Sequence, residues 1–184
     1  MSGYPERVET ARLIGERATR AHADAHAGWM ADPRVARWLL PEGAAPLDRA
    51  ESDELLDRFI ADWERDGFGL WFALERATGD VVGRAGLRRT DVEGVPEVEV
   101  GWATAHDRWN RGYATELARE AVRLGEELLG LTGIVSFTKV GNDASIAVMR
   151  KLGLVREREY VRLGMPHVLF RRPVLSPGRV AAGT

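Results

Sequence analysis

The stretch "DRWNRGYATELARE", residues 107–120, decides the fold. It opens on charges and an aromatic, passes through Gly112, and becomes a run of helix formers. Gly112 and Ala114 put almost no side chain at the mouth of that helix. The first N–H groups of a helix have no partner within it, and the helix dipole favours negative charge at that end. A strand, a short loop and a helix in succession therefore make a candidate pyrophosphate cradle. A glycine that only permits a turn would read the same way in sequence. No Gly-Lys-Ser/Thr follows, so this is not a Walker A loop, and the spaced glycines of a dinucleotide fingerprint are missing.

Upstream, "EVEVGWATA" (97–105) alternates as a strand does. Glu97, Glu99, Gly101 and Ala103 share one face, and Val98, Val100 and Trp102 the other, if no bulge intervenes. Downstream, Leu117, Ala121, Leu124 and Leu128 line one helical face that stops at Gly130. "GIVSFTKV" (133–140) reads as a strand. "NDASIAVMRKLG" reads as a short helix with Asn142 as N-cap and Gly153 as stop. Two further strands are expected over 154–163 and 167–173. Nearer the start, "RLIGER" is a first strand. Residues 21–30 are helical, ending near Asp32-Pro33. Leu55, Leu56, Phe59, Ile60 and Trp63 form an apolar helical stripe ended by Asp66-Gly67. "GLWFALER" and "VVGRAGLRRT" make a hairpin around "ATGD". Helices interspersed with hairpins imply an α/β (α+β) fold, a mixed sheet covered by helices.

Composition narrows the function. The 184 residues suit one domain with a core. A hydrophobic share of 45% argues against disorder. A net charge of −2 gives no electrostatic case for binding nucleic acid. The absence of cysteine excludes disulfides, thiolate metal sites and a thiol nucleophile. No segment reaches the ~20 apolar residues of a membrane span, and no signal-peptide core is visible at the start. A soluble, cytoplasmic protein without a membrane partner is expected. Its domain spans residues 1–175, and the small, polar stretch 176–184 is a flexible tail.

"EVEVGWATAHDRWNRGYATELAREAVRLG" followed by "NDASIAVMRKLGLVRERE" resembles the GNAT superfamily of N-acetyltransferases. The likeness is to the branch that includes ribosomal-protein N-terminal acetyltransferases, the RimJ/RimL type. The matching positions are Glu99 to Trp102, Trp109 to Glu116, Asn142 with Ser145, and Lys151 to Leu154. "ETARL" near the start and "FRRP" near the end also look family-like. The resemblance implies a single-domain GNAT fold: a mixed, mainly antiparallel sheet of six to seven strands with about four helices. It implies acetyl-CoA as cosubstrate and no metal. The pyrophosphate would lie on the amides of Asn110, Arg111, Gly112, Tyr113, Ala114 and Thr115, with Arg108 and Arg111 adding charge. The pantetheine arm would pair with the strand edge at Val100, Gly101 and Trp102, where two family strands splay apart. Asn142 and Ser145 would line the other side. Family members are often dimers, so the resemblance allows a homodimer.

The chemistry is amine attack on a thioester. A lysine-type amine has a pKa of about 10.4 and is mostly protonated at neutral pH, so a base must relieve it of a proton. Glu99 is the candidate base, and Glu97 the second choice. Both could equally be ordinary strand charges. A main-chain N–H near residues 100–102 would serve the oxyanion. Many GNAT enzymes carry a tyrosine as general acid seven residues after the asparagine, and this chain has Met149 there. Ser145 or water is then the candidate acid, against a reading in which its hydroxyl caps helix N–H groups. The departure also leaves open a second class, a non-catalytic acyl-CoA binding or sensing module. The acceptor would be a protein N-terminus or a small amine such as an amino acid, polyamine or aminoglycoside.

Other features carry bland readings. His22 and His26, four apart on a helix, suit a solvated face better than a metal pair. Asp48, Glu51, Asp53, Glu54 and Asp57 suit a helix start. Trp29, Trp38 and Trp63 lie in the acceptor region, with core packing expected for at least two.

Overall fold

A computed structural model of the chain describes residues 3–174. The expected flexible tail, 176–184, lies outside them. Eight strands are described: β1 (Arg7–Glu9), β2 (Leu13–Arg17), β3 (Leu70–Glu75), β4 (Val81–Val92), β5 (Val95–Thr104), β6 (Val135–Lys139), β7 (Val155–Arg162) and β8 (Met165–Arg171). Five α-helices accompany them: α1 (Ala23–Met30), α2 (Pro33–Leu39), α3 (Arg49–Asp66), α4 (Tyr113–Leu129) and α5 (Asp143–Lys151). The strands form one sheet in the order β1-β2-β3-β4-β5-β6-β8-β7. Every pairing is antiparallel except β5 with β6. The fold class is as expected, with one or two more strands and one more helix.

The extra elements have local causes. β1 has three residues, too few for alternation to register. Asp32-Pro33, read as an ending, is also a beginning. Asp32 accepts a hydrogen bond from the Arg34 N–H at 2.8 Å, and Pro33 opens α2, where its missing N–H would have been unpartnered anyway. The β4–β5 hairpin turns on Glu93 and Gly94, at φ 53° and 85°. Positive φ at both central residues is the two-residue turn whose twist matches its strands.

Alternation on β4 sorts the two layers. Leu87 faces α4, where a Cβ on Gly125 would come within 2.6 Å of its Cδ1. The bare glycine lets the helix close on the sheet. Arg84, of opposite parity, faces Trp29 and Phe59 of α1 and α3. Leu117, Ala118 and Ala121 bury the inner stripe of α4 almost completely. Burial of a leucine of this kind contributes ~1.5–3 kcal/mol. Leu128, expected on that stripe, is 40% exposed, in the last turn of α4. The β4–β5 pairing runs from Gly83↔Thr104 to Val92↔Val95 without a register shift. Glu97, Glu99, Gly101 and Ala103 therefore do share one face, the face of Arg84 and Arg88.

Candidate active site

The start of α4 shows bare peptide nitrogens. Its N-cap is Gly112, at φ 80°, ψ 6°, with no side-chain cap. The first helical return bond runs from the Glu116 N–H to the Gly112 carbonyl at 3.0 Å. The N–H groups of Tyr113, Ala114 and Thr115 precede that bond and lack intrahelical partners. Asn110 also takes a left-handed conformation, φ 60°, which turns the loop tightly. The Trp109 indole N–H ties the loop back to the Thr104 carbonyl at 2.9 Å.

A strap from the other end of the chain holds this corner. Glu116 accepts from the Thr10 hydroxyl at 2.7 Å, the Arg12 N–H at 2.7 Å and Arg12 Nε at 2.8 Å. Arg12 Nη1 donates to the Arg111 carbonyl at 2.8 Å, and its guanidinium lies 4.9 Å from the centre of the Tyr113 ring. Burial raises the Glu116 carboxyl. The hydrogen bonds from Thr10 and Arg12 outweigh it, so the group lies below its ordinary value. Sequence reasoning missed Arg12. Only its place within "ETARL" hinted at a role.

The sheet opens next to the cradle. β5 and β6 pair at one position, Glu99↔Val135. Beyond it the strands part, and the β5 edge from Gly101 onward has no partner in β6. A cavity of about 1000 Å³ runs from this wedge to the α4 start and into the α1–α3 layer. It brings together Glu99, Ser145 and each cofactor candidate except Val100. Val100 is fully buried in the core, so only its main chain can take part. Tyr113 likewise offers its main chain, because its ring is buried and its hydroxyl bonds to Glu75. Arg108 is paired with Asp80 at 3.0 Å. Arg111 is exposed and makes no side-chain ion pair among the described residues.

Glu99 is 8% exposed. Its Oε2 lies 3.0 Å from Arg88 Nε, yet neither atom makes a hydrogen bond. The two charges touch without the alignment a hydrogen bond requires. Oε2 is thus held by Arg88 as an ion pair and not as a hydrogen bond. Oε1 would be 3.4 Å from a Cβ on Gly101, so the carboxylate hangs over bare main chain where the wedge opens. Glu97, the second choice, is held by Arg171 at 2.7 and 3.1 Å and is engaged as an ion pair.

Asn142 caps α5, accepting from the Ser145 N–H at 3.3 Å and donating to the Thr138 hydroxyl at 2.9 Å. The cap is Asn142, and Ser145 is among the residues that line the cavity. Met149 is fully buried in the core and does not line the cavity. The position of the family tyrosine is turned away from the site.

The histidine reading is corrected. His22 and His26 are buried, at 4% and 0% exposure, because α1 and the turn that leads into it lie on the sheet. His22 stacks on Phe72 at 4.6 Å, and His26 Nδ1 meets the Ser52 hydroxyl at 2.9 Å. Trp29 and Trp63 are core residues, and Trp38 lines the cavity. Asp48 and Glu51 form a reciprocal cap at the start of α3. Among the described residues no helix is long and apolar enough to cross a membrane.

Comparison with known proteins agrees with this geometry. The family model described as "Acetyltransferase (GNAT) domain" matches residues 12–155. The uncharacterized protein YkkB of Bacillus subtilis is 28% identical over 106 residues, 58% of this chain and 62% of that protein. The uncharacterized N-acetyltransferase YoaA of the same organism is 26% identical over 157 residues, 84% of this chain and 87% of its own. The crystal structure of an acetyltransferase from Agrobacterium tumefaciens superposes with a TM-score of 0.77 at 25% identity, covering 93% of this chain and 96% of that one. A fold with this wedge, this open helix start and a family match over most of its length has one assignment: the chain belongs to the GNAT family of acetyltransferases.

Proposed function

We propose that the protein transfers an acetyl group from acetyl-CoA to a primary amine, by direct attack within a ternary complex. The observation that carries this is the buried Glu99 carboxylate, whose Oε1 lies over Gly101 where the sheet parts beside the bare α4 start. Acetyl-CoA supplies the activated acyl group. The Tyr113, Ala114 and Thr115 amides hold its diphosphate, with Arg111 adding charge. The β5 edge at Gly101 and Trp102 offers free main-chain groups to the amide-rich arm, as a strand offers them to a neighbour. Glu99 takes a proton from the acceptor ammonium, so that its nitrogen can bond to the acyl carbon as the C–S bond breaks. A main-chain N–H at 100–102 donates to the acyl oxygen. As the amide forms, its nitrogen gives up a second proton; Ser145, or a water in its place, passes a proton to the departing sulfur and takes that one up in return. A thiol pKa of about 8.5 makes that a light demand. The acceptor is a protein N-terminus or a small amine. The residues from Trp109 to Glu116 favour the ribosomal-protein branch among GNAT groups.

The test is thiol release from acetyl-CoA over a broad amine panel, with Glu99→Gln beside the wild type. Positioned general bases contribute roughly 10²–10⁴-fold. Glu99→Gln is expected to slow turnover on the order of 100-fold, to leave donor affinity nearly unchanged, and to recover in part at higher pH. A protein that binds coenzyme A, turns over no amine and is indifferent to Glu99→Gln is an acyl-CoA sensor, and the proposal fails.

A further inference from the structure

The acceptor half of the cavity contains a buried charge without a counter-charge. Arg84, on β4, is 8% exposed and lines the cavity. Its guanidinium is clamped between the Phe59 ring, 4.6 Å away, and the Trp29 ring, 5.1 Å away. Nη1 lies 3.4 Å from His26 Nε2. His26 in turn uses Nδ1 with Ser52, so a neutral imidazole with its proton on Nδ1 accepts from Arg84. Burial first, then the repulsion of Arg88, pull Arg84 down to about 9, with Glu99 opposing. It is still a cation at neutral pH. Among the described residues no carboxylate lies within ion-pair distance of it, and its side-chain hydrogen bonds are those of Nη1 with His26 Nε2 and, at 4.0 Å, Met30 Sδ. Glu99, the carboxylate whose charge acts on Arg84, is taken by Arg88 at 3.0 Å.

Proteins rarely bury a charge unpaired, because desolvation is expensive. Aromatic faces and a neutral histidine hold the guanidinium in place without neutralising it. Such a charge is completed by an anion that arrives with the ligand. The cavity lining here includes the apolar Met30, Phe59 and Leu70, with Glu51, Glu54 and Arg58 further along α3. Arg84 stands opposite Ala103 and Arg88 opposite Glu99. The two arginines are thus four residues apart on one strand face, roughly 13 Å along the strand at about 3.3 Å per residue.

We propose that Arg84 recognises a carboxylate on the acceptor, so that the amine acetylated here belongs to an amino acid or another amino-carboxylate. This rests on acetyl transfer to an amine in the same cavity. Glu99 would serve the ammonium end, and Arg84 the carboxylate end. Arg84 is a specificity residue in this scheme and takes no part in proton transfer.

The test is equilibrium binding in the presence of coenzyme A, read by tryptophan fluorescence, since Trp29 packs on the Arg84 guanidinium. The probes are matched pairs that differ by one carboxylate: L-leucine with isopentylamine, L-lysine with cadaverine, and 6-aminohexanoate with pentylamine. In at least one pair the carboxylate-bearing member is expected to bind more than tenfold tighter to the wild type. Arg84→Met should erase that preference without changing coenzyme A affinity, and Arg84→Lys should keep part of it. Equal binding in all three pairs, or a preference that survives in folded Arg84→Met, overturns the inference. If Arg84→Met does not fold, Arg84→Lys decides: a preference undiminished from the wild type overturns the inference. Turnover separates this inference from the reading beneath it. Equal acetylation of both members of every pair leaves acetyl transfer standing and removes the carboxylate. Absence of acetylation with every amine removes acetyl transfer, while the binding comparison still decides the anion site.

Discussion

At the residue scale, His26 shows how one buried group can set the acid limit of the fold. Burial first, and then the Arg84 charge, lower its pKa from the ordinary 6.5 to about 3. The folded state therefore refuses a proton that the unfolded chain accepts. Between about pH 6.5 and 3 the unfolded chain binds more protons, so stability is full above 6.5 and falls as the pH drops through that window. One proton corresponds to a slope of ~1.4 kcal/mol per pH unit. Urea unfolding of wild type and His26→Gln from pH 4 to 7 should show a slope shallower in the variant by up to that amount. Equal slopes would mean that His26 titrates normally. Individual residues were legible to different depths in the sequence. The face of Glu99 followed from alternation on β5, and the absence of a bulge kept it there. The burial of Arg84, Arg88's contact with Glu99, and both histidines did not follow. Alternation assigns a side chain to a face, but what covers that face is decided by α1 and α3, far along the chain.

At the scale of single elements, the start of α4 makes the sharpest demand. Gly112 holds φ 80°, where an L-residue costs ~1–2 kcal/mol and a β-branched one is a true outlier. A Cβ added there would meet only Arg12 Nη2, at 3.4 Å. Gly112→Val therefore acts mainly by turning the loop out of its left-handed corner, and less by filling the space expected for phosphate oxygens. We expect folding free energy lower by ~1–2 kcal/mol and coenzyme A affinity weakened more than tenfold, read by denaturation and by calorimetric titration. Unchanged affinity would place the cradle elsewhere. The long helices and the Asn142 cap were plain in sequence because periodicity and capping chemistry are local. The Arg12–Glu116 strap was not, because its partners stand 104 residues apart.

At the scale of the whole molecule, the parting of β5 from β6 organises everything else. It sets free main-chain groups beside the α4 amides and puts Glu99 at the point of divergence. Hydrogen exchange with and without coenzyme A should slow at residues 101–104 and 113–115, while the β1–β4 amides stay unchanged. Uniform protection across the sheet would argue for general tightening instead. Every strand but β1 was readable, but their order was not. The swap of β7 and β8 and the single parallel pairing depend on long-range closure that no local pattern encodes. That single pairing has a further result. It gives the notch a floor, and the helix start gives it a rim, both fixed by packed layers that cannot slide. In the proposed reaction, floor and rim together would behave as a gauge block. A donor whose reach from diphosphate to sulfur is one link too short or too long would present its acyl carbon off the mark, however tightly either end were gripped.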